Sequence, residues 1–100
     1  MYITVTQEHV DQAIKLFTPD RSTWPDWTLL TTSCPTALAI REQGGFINRL
    51  DVQVCGCDIL LPDGAYYMST RLERQVKSFD PILGKYDFKP GRYQLRKVGT

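Results

Sequence analysis

The residues best suited to carry chemistry are three cysteines and a single histidine. Cys55 and Cys57 stand two positions apart, so on a strand both thiols would project from one face and could bind the same metal ion. Cys34 and His9 would complete a four-ligand zinc site if the fold brought them close. A lone Cys-x-Cys lacks the paired Cys-x-x-Cys motifs of zinc modules. We therefore expect no metal, and we expect Cys55 and Cys57 to be small packed residues beside a bulge.

Cys34 could act as a nucleophile, because it precedes a predicted helix whose dipole would favour the thiolate. Such catalysis would need a base, and His9 is the only histidine. His9 falls in the first turn of a different predicted helix, and nothing in the sequence brings it near Cys34. We expect a packed, slowly reacting thiol and no catalytic residues, so the protein is expected not to be an enzyme.

No glycine-rich phosphate-binding loop is recognisable in the sequence. Gly44-Gly45 follows a predicted helix instead of preceding one, which is the wrong polarity for a phosphate site assisted by the helix dipole. The aspartates mostly occupy predicted helix faces, loops and turns, so they suggest no acid–base pair. We expect no cofactor.

The segment Trp24-Pro25-Asp26-Trp27 is the most partner-like feature of the chain. Tryptophan is strongly enriched among the residues that dominate protein interfaces. The segment lies in a connection from Thr18 to Ser33, and connections of this length are usually functional or disordered. We predict Trp24 and Trp27 as partner-binding residues. The alternative is a loop folded over the core and fixed there by two large rings.

Basic residues outnumber acidic ones from Arg71 onward, where an anionic partner would bind. On the third predicted helix we expect partner-binding roles for Arg71, Arg74 and Lys77. Farther on, cations and aromatic rings interleave: Lys85, Tyr86, Phe88, Lys89, Arg92, Tyr93 and Arg96. Aromatic side chains on a sheet can stack bases while cations hold phosphates. Strand alternation would put the two kinds on opposite faces, which favours a hairpin with its rings inward.

The elements that must position these residues begin with a strand and a helix. Tyr2 to Thr6 alternates apolar and polar side chains, which predicts a strand with Ile3 and Val5 on one face. Thr6 can cap the helix that follows. The predicted apolar stripe of that helix consists of Val10, Ala13, Ile14 and Phe17.

The middle of the chain predicts a short helix and a set of strands. The helix begins at Cys34-Pro35 and carries apolar residues on nearly all sides, so we expect it to be buried. Leu50 to Leu61 is strand-like, with a bulge or tight turn at Cys55-Gly56. One face of this segment is predicted to hold Leu50, Val52 and Val54. Pro62-Asp63-Gly64 predicts a turn into a strand over Tyr66 to Met68 that folds back on the preceding one.

The C-terminal part predicts a third helix and a closing hairpin. Thr70-x-x-Glu73 matches a capping box and marks the start of the helix. Its apolar stripe is predicted to hold Leu72, Val76 and Phe79. Aromatic and apolar residues alternate on either side of Lys89-Pro90-Gly91, which predicts the hairpin. The resulting order, β-α-α-β-β-β-α-β-β, indicates an α+β fold: a mainly antiparallel sheet with two or three short helices on one face.

Length and composition fit one soluble domain over residues 1–100. The chain has 42% hydrophobic and 23% charged residues, which disfavours disorder. Its formal net charge of +1 indicates neither a nucleic-acid nor a membrane partner. Neither a signal peptide nor a membrane span is recognisable, so no membrane partner is expected. An odd number of cysteines without a secretory signal favours a reducing, cytoplasmic setting.

Several short motifs spread along the chain resemble those of small proteins from phages and mobile elements. They are Val5-Thr6-Gln7-Glu8-His9-Val10-Asp11, Cys34-Pro35-Thr36-Ala37-Leu38-Ala39, Phe79-Asp80 and Tyr93-Gln94-Leu95. The chain departs from that pattern in its tryptophan segment and between Pro81 and Pro90. The group has no assigned activity, so the resemblance implies only a setting, in which small proteins often bind host machinery such as defence systems.

Two functions follow as expectations. The first is a phage-like module, acting in the host cytoplasm, that inhibits or modulates a host protein complex, such as a defence nuclease, in the manner of an anti-CRISPR protein. The alternative is a small nucleic-acid-binding regulator that uses the basic C-terminal third. Steep loss of affinity with salt is expected for phosphate contacts, whereas an interface centred on tryptophan should resist salt.

Overall fold

The computed structural model describes residues 1–17, 31–56 and 58–98. The described part of the chain holds three α-helices: α1 Gln7–Phe17, α2 Pro35–Gly44 and α3 Thr70–Ser78. Its strands are β1 Tyr2–Val5, β2 Gln53–Cys55, β3 Asp58–Leu61, β4 Gly64–Met68, β5 Phe79–Asp80, β6 Lys85–Tyr86 and β7 Gly91–Lys97. Short 3-10 turns cover Arg49–Asp51 and Pro81–Leu83. Trp24, Trp27 and Cys57 lie outside the described residues.

Five strands form one antiparallel sheet in the order β1-β7-β4-β3-β2, and β5 pairs with β6 in a separate antiparallel ribbon. All pairings within the five-stranded sheet are antiparallel. The inner face of this sheet carries Ile3, Val5, Val54, Ile59, Tyr66, Tyr93 and Leu95, which share one core with the helices. The predicted α+β fold is therefore confirmed, with an antiparallel sheet that buries one face.

Helix α1 begins with a reciprocal pair of hydrogen bonds between Thr6 and His9. The backbone N–H of His9 donates to Thr6 Oγ1 over 3.3 Å, and the backbone N–H of Thr6 donates to His9 Nδ1 over 2.9 Å. This is a capping box in which histidine takes the place usually held by glutamate or glutamine. On the other side of the ring, Nε2 lies 3.1 Å from Glu42 Oε2 near the end of α2. His9 thus fixes both the start of α1 and its position against α2.

Helix α2 is buried through its first half, as its composition predicts. Cys34 stands at the N-cap, Pro35 opens the helix, and the side chains from Pro35 to Ala37 are buried. The helix ends at Gly45, whose φ of 70° is left-handed and whose N–H donates to the carbonyl of Arg41. Glycine suits this position because it has no Cβ to clash.

Several local predictions need correction. Leu50 lies in a 3-10 turn and is 53% exposed, so it does not continue the buried face of Val52 and Val54. Ser69, and not Thr70, caps α3: its hydroxyl accepts the N–H of Leu72 over 3.3 Å. Both serine and threonine suit a cap, and the structure uses the one that follows strand β4 directly. Thr31 and Thr32, at the end of the predicted connection, are helical.

The predicted closing hairpin around Pro90 is wrong. Lys89 donates its N–H to the side chain of Gln75 on α3 over 2.9 Å, and its carbonyl accepts from the Tyr93 hydroxyl. Because of these bonds, residues 87–90 form an irregular segment and not a strand. β7 instead pairs with β1 and β4, and β6 pairs with β5.

The capping role of His9 predicts a graded response to substitution. His9→Ala removes the acceptor for the Thr6 N–H and should cost about 1–2 kcal/mol in free energy of unfolding. His9→Gln should cost less, because glutamine at this position can rebuild the capping box. Gln12→Ala, on the exposed side of the same helix, should change stability by less than about 0.5 kcal/mol. Urea unfolding of the three variants checks this; a glutamine variant as unstable as the alanine variant would contradict it.

Candidate binding surface

Cys34 and His9 do not form one site. His9 contacts Glu42 near the end of α2, whereas Cys34 precedes that helix, so about 12 Å of helix separates the two along its axis. Cys55 is exposed at the turn that joins β2 and β3 and is not packed, contrary to expectation. In residues 1–17, 31–56 and 58–98, no three acidic, cysteine or histidine side chains are grouped to hold a metal ion.

The Cys34 thiol is buried against the core. Burial raises its pKa from 9.0 to about 11, although backbone N–H groups at the start of α2 act in the opposite direction. Desolvation therefore outweighs the helix terminus, and the thiolate that a nucleophile requires is disfavoured.

The burial of Cys34 predicts slow alkylation. At pH 8, iodoacetamide should modify exposed Cys55 in the native protein much faster than Cys34, and unfolding in urea should remove the difference. Peptide mapping by mass spectrometry assigns each site. Native modification of Cys34 at the rate seen in urea would contradict the burial described here.

In the part of the chain that the structure describes, no element packs on the outer face of the five-stranded sheet. Along each strand, every second side chain points away from the core. We call the surface formed by these side chains the open face. It consists of Tyr2, Thr4, Gln53, Cys55, Asp58, Leu60, Ala65, Tyr67, Arg92, Gln94 and Arg96. Tyr2 is 54% exposed, Tyr67 51% and Leu60 44%. Large apolar and aromatic groups at this exposure, gathered on one face, are typical of binding surfaces.

Strand pairing brings arginine and tyrosine together on the open face. On one side of β7, Thr4 is opposite Arg92, and the Arg92 guanidinium lies 4.4 Å from the centre of the Tyr2 ring. On the other side, Tyr67 of β4 is opposite Arg96. The exposed rings thus come from the strands on either side of β7, and the two cations come from β7 itself.

The composition of the open face differs from that of the exposed helix faces. It holds two arginines and two tyrosines but neither lysine nor glutamate, and its single acid is Asp58. Exposed positions of α1 and α3, by contrast, include Glu8, Lys15 and Lys77. Protein interfaces are enriched in tyrosine and arginine and depleted in lysine and glutamate. The open face therefore has the composition of an interface.

Two of the concavities formed by the described residues lie beside the sheet. A groove of about 290 Å³ at one end of the open face is lined by Tyr67, Met68, Ser69, Thr70, Gln94 and Arg96. A more apolar cavity of about 530 Å³ is lined by residues that include Ile3, Ile40, Phe46 and Leu61. At the rim of this cavity the Tyr66 hydroxyl donates to Asp63 over 2.8 Å. That bond and the nearby Lys97 lower the pKa of the Asp63 carboxyl. The same bond, together with burial, raises the pKa of the Tyr66 hydroxyl.

The basic residues predicted on α3 are exposed but differ in their contacts. Lys77 pairs with Glu73 on the same helix over 3.0 Å. Arg71 lies beside β7: its guanidinium is 5.0 Å from the centre of the Tyr93 ring, and Nη1 donates to the carbonyl of Arg92 over 3.5 Å. Arg71 is thus the member of this set that contacts β7, on the side of the inward-facing Tyr93 ring and not on the open face. Arg74 is also exposed, and the predicted roles of Arg71, Arg74 and Lys77 stay predictions.

Sequence reasoning did not single out Tyr2, Leu60 or Tyr67. Alternation in their strands, with Ile3, Ile59 and Tyr66 inward, was the signal that placed them outward. Within β7, alternation separates Tyr93 from Arg92 and Arg96 as expected. Their aromatic neighbours come from other strands, and that arrangement depends on pairings distant in sequence.

Comparison of the chain with protein-family models, with curated proteins and with solved structures found no match. Within the described ranges, no helix combines the length and the apolar character needed to cross a membrane.

Proposed function

We propose that this protein is a small binding module that uses the open face to block or modulate a host protein complex. The observation that carries the proposal is the exposed sheet face with its arginines and tyrosines. An antiparallel sheet needs only one buried face to be stable. The outer face is therefore available for binding without loss of the core.

The distribution of charge favours a protein over a nucleic acid as partner. The open face has two arginines and one aspartate, which gives a net charge of +1. Affinity for nucleic acid depends on neutralising several phosphates, so a face with so few cations would contribute little. Tyrosine and arginine side chains, by contrast, are the residues that most often dominate protein interfaces.

The phage-like setting rests on the short motifs that resemble small phage and mobile-element proteins. In that setting the partner would be a host complex in the cytoplasm. A defence nuclease is one such complex, because its inhibition would benefit a phage. A module of this kind needs a stable scaffold and one exposed interface, and it requires no catalytic group.

A small nucleic-acid-binding regulator is the second candidate, and one observation favours it. Tyr2 and Tyr67 lie on the same face as Arg92 and Arg96, which is the combination that stacks bases and holds phosphates on a sheet. The two candidates differ in their response to salt, since binding through phosphates weakens steeply as salt is raised.

Binding through the open face predicts a specific pattern among surface variants. The immobilised protein is used to capture its partner from host extract, and the affinity of that complex is then measured. Tyr67→Ala and Leu60→Asp should each weaken binding by about 2 kcal/mol or more, close to 30-fold, if these side chains are at the centre of the interface. Their thermal stability should change little, because both side chains are about half exposed.

Leu83→Ala is the matched control, since Leu83 is 67% exposed in a 3-10 turn away from the sheet. It should bind as the parent protein does. If all three variants bind equally well, the interface lies elsewhere. If treating the extract with nuclease abolishes capture, the second candidate is favoured.

A further inference from the structure

We propose that the open face binds an acidic protein surface, with Arg92 and Arg96 each contacting a carboxylate of the partner. This inference rests on the proposed function and adds the chemistry of the partner. Arginine presents a planar fork of N–H donors that matches a carboxylate in a bidentate arrangement.

Arg92 is held in place before any partner binds. Its guanidinium stacks on the Tyr2 ring at 4.4 Å, so its freedom to rotate is already reduced. An ordered side chain loses less entropy when it forms hydrogen bonds, which increases the affinity gained from each bond. The ring covers one side of the guanidinium, so a carboxylate can approach its N–H groups from the side that faces solvent.

Arg92 and Arg96 define a spacing for the partner's carboxylates. They lie four residues apart on β7, so both project from the open face and their Cα atoms are about 13 Å apart. Gln94 lies between them on the same face and offers an amide. A partner with two acidic groups about 13 Å apart would meet both arginines at once.

The surrounding charges reinforce the preference for an acidic partner. Arg71 also contacts β7, but over the inward-facing Tyr93 ring, so the positive charge that β7 presents on the open face is that of Arg92 and Arg96. The acid of the open face, Asp58, lies on β3, two strands from β7, or roughly 10 Å across the sheet. The β7 strip is therefore locally positive, although the chain as a whole has a net charge of only +1.

The stacking of Arg92 on Tyr2 favours carboxylates over bases. A base that stacked on this side of the Tyr2 ring would have to displace the guanidinium that already covers it. A carboxylate binds to the edge of the guanidinium and leaves the stack intact. The same contact that would obstruct a nucleic acid thus orients the arginine for an acidic protein.

Two synthetic peptides test this chemistry directly. Glu-Ser-Leu-Ser-Glu, when extended, places its two carboxylates about 13 Å apart, and Gln-Ser-Leu-Ser-Gln is its uncharged counterpart. Each is titrated into the full-length, isotope-labelled protein while the Nε–Hε signals of the arginines are followed by NMR. A ten-nucleotide oligothymidylate is titrated in parallel as the nucleic-acid probe.

The glutamate peptide should shift the signals of Arg92 and Arg96 and bind at least tenfold more tightly than the glutamine peptide. The double variant Arg92→Gln/Arg96→Gln should lose this difference, whereas Lys15→Gln, at an exposed position of α1, should keep it. Equal binding of the two peptides, no shift of either arginine, or tighter binding of the oligothymidylate through the open face would overturn the inference.

The partner complex separates this inference from the proposed function. If Tyr67→Ala weakens the captured complex but Arg92→Gln/Arg96→Gln does not, the open face is the interface and the acidic partner is wrong. If neither changes the complex, the proposed function itself is wrong.

Discussion

Strand β7 is the element on which the rest of the molecule depends. It lies between β1 and β4, so it joins the first strand of the chain to the central hairpins through two sets of backbone hydrogen bonds. Its alternation sends Tyr93 and Leu95 into the core and Arg92, Gln94 and Arg96 to the open face. The same seven residues therefore close the fold and provide the cations of the proposed interface. The core side is fixed further by the Tyr93 hydroxyl, which donates to the carbonyl of Lys89.

The groups that looked most reactive in the sequence act in the structure as packing and capping groups. Both ring nitrogens of His9 make contacts within the fold, one with the backbone N–H of Thr6 and one with the Glu42 carboxylate. Cys34 is buried at the start of α2, where desolvation raises its pKa. The edge of β1 is also occupied: the Gln43 side chain accepts the Thr4 N–H and donates to its carbonyl. Covering a strand edge in this way limits unwanted pairing with other chains, and it leaves the open face as the broad exposed surface of the sheet.

Local patterns predicted much of this fold because they act within a few residues. Ile3 and Val5 on β1, the stripe from Val10 to Phe17, and the turn at Pro62-Asp63 follow from alternation, helical spacing and turn chemistry. The partners of β7 could not be predicted in this way, because β1 lies at the other end of the chain and β4 is separated from β7 by α3 and the β5-β6 ribbon. The hairpin expected at Pro90 does not form, because the backbone of Lys89 bonds to the side chains of Gln75 and Tyr93. Alternation of residue types does not predict these bonds. The open face combines residues from all five strands of the sheet, so its composition becomes visible only once the strand order is known. The binding roles predicted for Trp24 and Trp27 stay predictions.

Site-specific photo-cross-linking shows whether the open face contacts the partner. A photoreactive phenylalanine analogue is placed at Tyr67 on the open face, or at Leu83 as an equally exposed position away from it, and each protein is irradiated in host extract. We expect a covalent adduct to a host protein from the Tyr67 position and none from the Leu83 position. An excess of parent protein without the photoreactive group should prevent the adduct. An adduct that forms at Leu83 and not at Tyr67 would contradict this expectation.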